Sequence, residues 1–518
     1  MKKRLNKLVA KQLHITLVPL PKLAVFKPPA LALRAVTSKD GLGVYASSDT
    51  LFKGAIFGRD SLEVAEDLMR LRPKLAEKIL LTLASLQGEE NRDDNEEEPG
   101  KIIHEYRRSI VDGRLLDDDS MQILQQLSAH WGGNQDLLEY YGSVDATPHF
   151  IRTVYRYTEL YGSRILGQKV RTRGGIEITL QKNLERAIEW LLNSLEKSGS
   201  GLLEYKRHNP MGIENQAWKD SREFYVHESG HTANHDKPIS SIELQALAYD
   251  ALTMAAQHMP SKKAELQEVA EDLRAQTIKL LWEPGRQYFA LGTDFTERNK
   301  LRVIKTVTAN PAEMLDSTFF DDLPEEEKKH YISGIVTNIL GDQFLTDAGI
   351  RSRSLSEASL VAFWDYHGSY TSWPKETYDI AKGLRRQGFP RLAEQLENRL
   401  LNIIKLLHSY PEFVYVDARG RVLGAASSAH THAELVLIDS TNRPEKIQAW
   451  TVSAILSILA DRRPIKLKPQ TTPHQEEWQR KLETDLLVNI PRVVQLKSNK
   501  ALSARYPTYP YDLRKRER

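Results

Sequence analysis

The chain has 518 residues, 41% of them hydrophobic and 27% charged, the balance of a globular protein with a sizeable core. Lys and Arg number 72 against 69 for Asp and Glu, and the resulting net charge of +3 gives no argument for nucleic acid or an anionic membrane as partner. There is no cysteine, which excludes disulfides, thiol nucleophiles and thiolate metal sites.

The chain opens with Met1-Lys2-Lys3-Arg4, the kind of start a signal peptide has. Lys7, Lys11, His14, Pro19, Pro21 and Lys22 then interrupt the segment and no small-residue cleavage site follows, so a cytoplasmic protein is expected. No stretch approaches the length of a membrane span. Residues 1–44 read as an N-terminal extension, 45–490 as one domain and 491–518 as a basic tail rich in Pro and Tyr.

Within the domain, apolar residues recur at helical spacing. Leu62, Ala65, Leu68 and Met69 mark a helix over Arg59–Arg70. Pro73 opens a second, which Gly88 ends after Gln87. Further helices are expected over Pro148–Leu160, Ile176–Leu195, Ile239–Gln257, Lys262–Trp282, Glu325–Leu340, Lys375–Gln387, Pro390–Leu407, Glu445–Ala460 and His474–Leu487, with a short one after Pro311. Strand-like patterns are few, the best being Tyr288–Leu291 and Phe413–Val416. Roughly a dozen helices in consecutive pairs suggest an all-α (α/α)6 barrel, a toroid of six helical hairpins with its site in the long loops. No repeat of fixed period supports a solenoid. The charge run over residues 89–98, E-E-N-R-D-D-N-E-E-E, reads as a solvated loop.

Two loop motifs carry the chemistry. N-Q-A-W-K-D-S, Asn215 to Ser221, and Y-P-E-F, Tyr410 to Phe413, each set one carboxylate, Asp220 or Glu412, beside aromatic rings. Glycoside hydrolysis needs two carboxyl groups flanking the scissile bond, one to protonate the leaving oxygen and one to activate water. Aromatic rings supply apolar faces for sugar C–H groups and raise carboxyl proton affinity by desolvation. Other clusters support a sugar site. F-G-R-D-S brings Arg59 and Asp60 to a helix start, where Asp60 serves equally well as N-cap or as acceptor for sugar hydroxyls. Y-Y-G-S-V-D-A-T-P carries Tyr141 and Asp145; Asp145 or Thr147 caps the next helix, or the tyrosines and acid contact sugar. Trp364 to Glu376 is an aromatic loop with His367, Trp373 and Lys375. Ile447 to Trp450 reads as part of a helix, with Gln448 and Trp450 on the pocket. H-E-S-G-H, His227 to His231, matches the H-E-x-x-H zinc pattern in letters only, because that motif needs a helix and this composition favours a loop.

The ordered set F-G-R-D-S, P-G-K-I-I-H-E-Y-R, Y-Y-G-S-V-D-A-T-P, G-L-L-E-Y, N-Q-A-W-K-D-S, I-E-L-Q-A-L-A-Y-D-A-L, G-I-R-S-R-S-L, Y-H-G-S, Y-P-E-F and Q-A-W resembles the glucosidase domain of glycogen debranching enzymes, the amylo-α-1,6-glucosidase-like family of six-hairpin glycosidases. The resemblance runs from about Tyr45 to Leu459. It implies an (α/α)6 barrel and an inverting mechanism, with Asp220 as general acid, Glu412 as general base, and Asp60, Glu105 and Asp145 lining the sugar pocket. Trp218 and Lys219 belong to the acid's loop. Where the family often has W-P-H-D-N, this chain has Trp373-Pro374-Lys375-Glu376-Thr377. It has no counterpart of the transferase domain, so two-step debranching is not expected of it. The expected substrate is an oligosaccharide or small glycoside, with no metal or cofactor needed. The alternatives are a glucosylglycerate or mannosylglycerate hydrolase, whose carboxylate-bearing aglycone Lys375, Lys219 or Arg222 would bind, and a non-catalytic carbohydrate-binding protein. Oligomeric state is left open.

Overall fold

The computed structural model describes residues 28–48, 50–424, 444–462 and 475–491. Most of the expected extension and the basic tail lie outside them. In chain order the helices are α1 (Pro29–Val36), α2 (Gly58–Leu68), α3 (Pro73–Ser85), α4 (Asp118–His130), α5 (Ala146–Tyr161), α6 (Leu180–Glu196), α7 (Ile242–His258), α8 (Lys263–Leu281), α9 (Asn310–Glu313), α10 (Glu325–Ile339), α11 (Pro374–Arg386), α12 (Pro390–Leu407), α13 (Ala449–Asp461) and α14 (Glu477–Asn489). Proline opens α1, α3, α11 and α12, where the missing N–H costs nothing. Asp117 and Thr179 cap α4 and α6 through their side chains.

The packing of these helices follows a circuit. α2 lies on α5, α5 on α7, α7 on α9, α9 on α11, α11 on α13, and α13 returns to α2. A second helix backs each member: α3 on α2, α6 on α5, α8 on α7, α10 on α9, α12 on α11, and α1 on α13. The partner of the last inner helix thus comes from the stretch expected to be an extension, and Ala32, Leu33 and Val36 of α1 are buried in the main core. No helix among the described residues is long and apolar enough to cross a membrane.

Short antiparallel sheets sit in the loops at the helix ends. The first orders Ile56–Phe57, Glu105–Arg108 and Leu137–Tyr140. A second pairs Thr371–Ser372 with Val414–Val416, which pairs in turn with Val422–Gly424. Such rungs correct several expected boundaries. The segments starting at Ile176 and Ile239 begin as strands and become helix only at Leu180 and Ile242. The helix expected from Glu445 starts at Ala449, so Gln448 is its cap residue rather than an interior one. The acidic run is also not simply solvated: Asn95, Glu96 and Glu97 are buried. The Glu96 carboxylate accepts from the backbone N–H groups of His208 and Asn209 at 2.7 and 2.8 Å, and Glu97 accepts from that of Glu89 at 2.8 Å. The run is a set of caps for neighbouring loops.

Candidate functional site

The first turn of α2 is fixed from outside. A Cβ on Gly58 would stand 2.1 Å from the carbonyl oxygen of Ile103, so only glycine fits, and the Gly58 N–H donates to the His104 carbonyl at 3.0 Å. This seats Arg59 and Asp60 inward, 6% and 5% exposed. Asp60 lies inside the first turn and does not cap the helix. Arg59 makes a two-pronged pair with Asp145, Nε to Oδ2 at 2.6 Å and Nη2 to Oδ1 at 3.1 Å. Asp145 stands at the cap position of α5, yet its carboxylate is engaged with Arg59 and makes no cap bond. Asp60 accepts from Gln448 Nε2 at 2.9 Å, so the two ends of the circuit meet at this carboxylate. Burial pushes the Asp60 carboxyl up to about 7 against the pull of Arg59, with Glu63 and Asp220 adding to the rise.

Asp220 faces an aromatic cluster built from three loop segments and the first turn of α13: Trp218, Trp373, Phe413, Tyr415 and Trp450, with Phe363 and Tyr366 packed on it. The sheet holding Thr371–Ser372 against Val414–Val416 brings Trp373 and Phe413 to 5.0 Å. The Tyr366 hydroxyl donates to Asp220 Oδ1 at 2.9 Å, and His367 Nε2 lies 3.6 Å from the same oxygen. The Asp220 side chain keeps 28% exposure. Burial raises its proton affinity, but His367, Arg59 and Tyr366 outweigh that and hold its pKa below the ordinary value.

Glu412 is 7% exposed, and its Oε2 accepts from the Glu445 N–H at 3.2 Å. Burial, then the negative charge of Glu445, then those of Asp60 and Asp220, lift its pKa well above the ordinary value. Asp60, Asp220 and Glu412 are close enough for their charges to be felt by one another. The structure therefore brings both carboxylates, Arg59, Asp60, Asp145, His367 and Gln448 into one neighbourhood, beside the cluster of Trp218, Trp373 and Trp450. Trp450 Nε1 is buried and has no partner among the described residues.

Four residues expected at the sugar have other partners. Lys219 is fully buried, paired with Glu376 and 3.0 Å from Asn310 Oδ1. Lys375 lies 2.9 Å from Asp379, 3.2 Å from Glu63 and 3.6 Å from Glu313. The Tyr141 hydroxyl donates to the Leu86 carbonyl at 2.8 Å and the residue is sealed in the main core. Glu105 pairs with Arg107, its neighbour on the same face of the strand. The H-E-S-G-H stretch is a loop, with His227 3.2 Å from Asp294 and His231 3.0 Å from Ser229, so the two rings serve different partners.

Three residues escaped the sequence. Tyr366 is not singled out within its aromatic loop, yet its hydroxyl is on Asp220. Glu445 gives no local signal, since only the fold sets it beside Glu412. His104 sits next to the expected Glu105 but is the one whose proton affinity responds to Asp220; burial and Arg59 push it down to about 3. Strand alternation, which puts neighbours on opposite faces, was the available clue.

No protein-family model and no curated protein matches the sequence. Solved structures do match at the level of fold. A GH63 mannosylglycerate hydrolase from Thermus thermophilus, in complex with glucose, superposes with a TM-score of 0.52 at 12% identity over 84% of this chain and 99% of that one. A glycosidase variant in complex with glucose gives 0.51 at 11% identity, covering 84% of this chain and 95% of its own. An uncharacterized conserved protein from Thermus thermophilus gives 0.50 at 12% identity over 85% and 100%. The chain shares the fold of these solved structures.

Proposed function

We propose that this protein is an inverting glycoside hydrolase, built on a closed (α/α)6 toroid, that cleaves an α-linked glucoside. Asp220 protonates the glycosidic oxygen and Glu412 draws the proton from the attacking water. The observation that supports this most is the shared neighbourhood of Asp220, Asp60 and Glu412 beside an aromatic cluster, on a fold whose solved examples include glycosidases. The helix circuit closing through α13 and α2 supports the toroid.

Before substrate binds, the proton sits on the wrong partner for these roles. Glu412 holds it more tightly than Asp220, so the singly protonated pair keeps it mainly on the base. Catalysis then runs from the minor arrangement, with Asp220 protonated and Glu412 ionised, and the two apparent pKa values belong to the pair. Activity is bounded at low pH by protonation of Asp220 as a second site and at high pH by loss of the single proton from Glu412.

A glucosylglycerate or mannosylglycerate hydrolase is the second reading, favoured by the mannosylglycerate hydrolase among the structural neighbours. Against it, Lys219 and Lys375 are already bound to carboxylates. Arg222 is 80% exposed and paired with Glu214. A neutral aglycone fits these commitments better. The deciding experiment offers α-glucosides of varied linkage beside glucosyl- and mannosylglycerate and follows the anomer released by NMR. We expect α-glucoside hydrolysis releasing β-glucose first. Release of α-glucose first refutes inversion, turnover of the glycerates alone selects the second reading, and binding without any hydrolysis marks a carbohydrate-binding protein.

A further inference from the structure

His367 is fully buried, and among the described residues neither ring nitrogen has a hydrogen-bond partner. Its walls are aromatic. Trp373 stacks on it at 4.7 Å and 17°, Trp218 meets it edge-on at 5.2 Å, Phe224 stands at 5.8 Å and Tyr366 at 4.6 Å. Its backbone N–H donates to Asp365 Oδ1 at 2.8 Å, and the same oxygen accepts from Ser221, the residue after Asp220, at 3.0 Å. The two loops are thus pinned together beside the ring. An imidazole in an apolar box with no partner is costly unless some state of the protein gives it one. Asp220 Oδ1, at 3.6 Å from Nε2, is the acceptor in reach.

We propose that His367 is a positioning residue: its Nε2–H and the Tyr366 hydroxyl together hold Oδ1 of Asp220, which turns Oδ2 toward substrate as the oxygen that carries the proton to the glycosidic bond. The proposal rests on the acid role of Asp220 given above. In the step itself the Oδ2–H bond breaks, the proton joins the glycosidic oxygen as the C–O bond cleaves, and the carboxylate left behind keeps its two donors on Oδ1. The contact at 3.6 Å tightens to hydrogen-bond length when substrate closes the site, as catalytic contacts in substrate-free enzymes commonly do. The ring is neutral in this role. Burial holds its pKa down to about 4 and Lys219 pushes the same way, against Asp220. The other ionisable groups that feel the charge of Asp220 are Arg59, Asp60, His104, Tyr205 and Glu412.

The test compares His367→Phe, which keeps the aromatic stack, with His367→Gln, which restores a donor, on a poor-leaving-group α-glucoside and on α-glucosyl fluoride, whose departure needs little acid help. With His367→Phe we expect kcat to fall about 10-fold or more on the poor leaving group and less than about 2-fold on the fluoride. Gln recovers part of the loss. The low-pH limb of kcat/KM, which reports Asp220, moves up by about half a unit to one unit, because the lost donor had favoured the ionised form. Equal losses on both substrates with an unmoved limb overturn the proposal. In the unsubstituted chain, ¹⁵N-histidine spectra at neutral pH should find His367 protonated at Nε2; an Nδ1–H tautomer overturns it without any variant. Asp220→Asn runs alongside: equal loss there on both substrates would reject Asp220 as the acid, whereas selective loss there without selective loss in His367→Phe rejects only the role of His367.

Discussion

Asp220 and Glu412 sit in one neighbourhood and are nevertheless opposite in character. Asp220 accepts from the Tyr366 hydroxyl, with the His367 ring 3.6 Å away and the cation of Arg59 near it. Glu412 has one backbone N–H, a second carboxylate beside it, and almost no solvent. The same chemical group is thereby made a better proton donor in one loop and a tighter proton holder in the other. Side-chain type alone does not assign the roles of a carboxylate pair; the neighbours do.

The sharpest way to break this comparison is to neutralise each side in turn. Glu412→Gln removes the base and should cost about 10³–10⁴-fold in kcat on both poor and activated substrates, with azide restoring turnover as a substitute nucleophile. Asp220→Asn should cost about 10²–10⁴-fold on a poor leaving group and much less on α-glucosyl fluoride. If Glu412→Gln turns over normally, another carboxylate of the cluster, Asp60, activates the water.

A smaller effect separates support from chemistry. Lys219 neighbours Asp220 in sequence but belongs to a buried pair with Glu376. Lys219→Met strands that carboxylate and should lower unfolding free energy by about 3–5 kcal/mol, read from urea denaturation. Loss of hydrolysis without loss of stability would put Lys219 at the substrate instead.

The smallest predicted effect sharpens the Glu412 side alone. Glu445 accepts from Ser47 and from the Leu51 N–H at 3.0 Å, and its charge raises the proton affinity of Glu412. Glu445→Gln removes that charge and lowers the folded-state pKa of Glu412. The high-pH limb of kcat/KM, where the pair loses its shared proton, should move down by up to about one unit while the low-pH limb stays. An unmoved high-pH limb would show that burial alone sets Glu412.

The sequence made the long helices readable because proline starts and regular apolar faces leave local marks; Pro390–Leu407 is found to the residue. Two-residue strands such as Thr371–Ser372 carry too little pattern to detect, and short strands likewise displaced the starts of α6 and α7. α4 went unread because few of its apolar residues are buried; Leu124 is the one fully covered. At the site, the motifs singled out Asp220 and Glu412 but not their electrical surroundings. Lys219 and Lys375 looked available because their partners Glu376 and Glu63 are distant or masked by helix spacing, and Glu445 lay beside Glu412 only after folding.

The circuit of helices closes through contacts between the beginning and the end of the described chain. Gln448 reaches Asp60 across 388 residues, Ser453 reaches Asp67 across 386, and Glu445 reaches Ser47 across 398. Loop closure over such spans is among the last events a chain can afford entropically, and local hairpins such as α7–α8 form long before it. The neighbourhood of Asp60, Glu412 and Gln448 therefore assembles late. During synthesis Asp60 and Asp220 emerge well before Glu412 and Gln448, so this neighbourhood is complete only once α13 packs against α1 and α2.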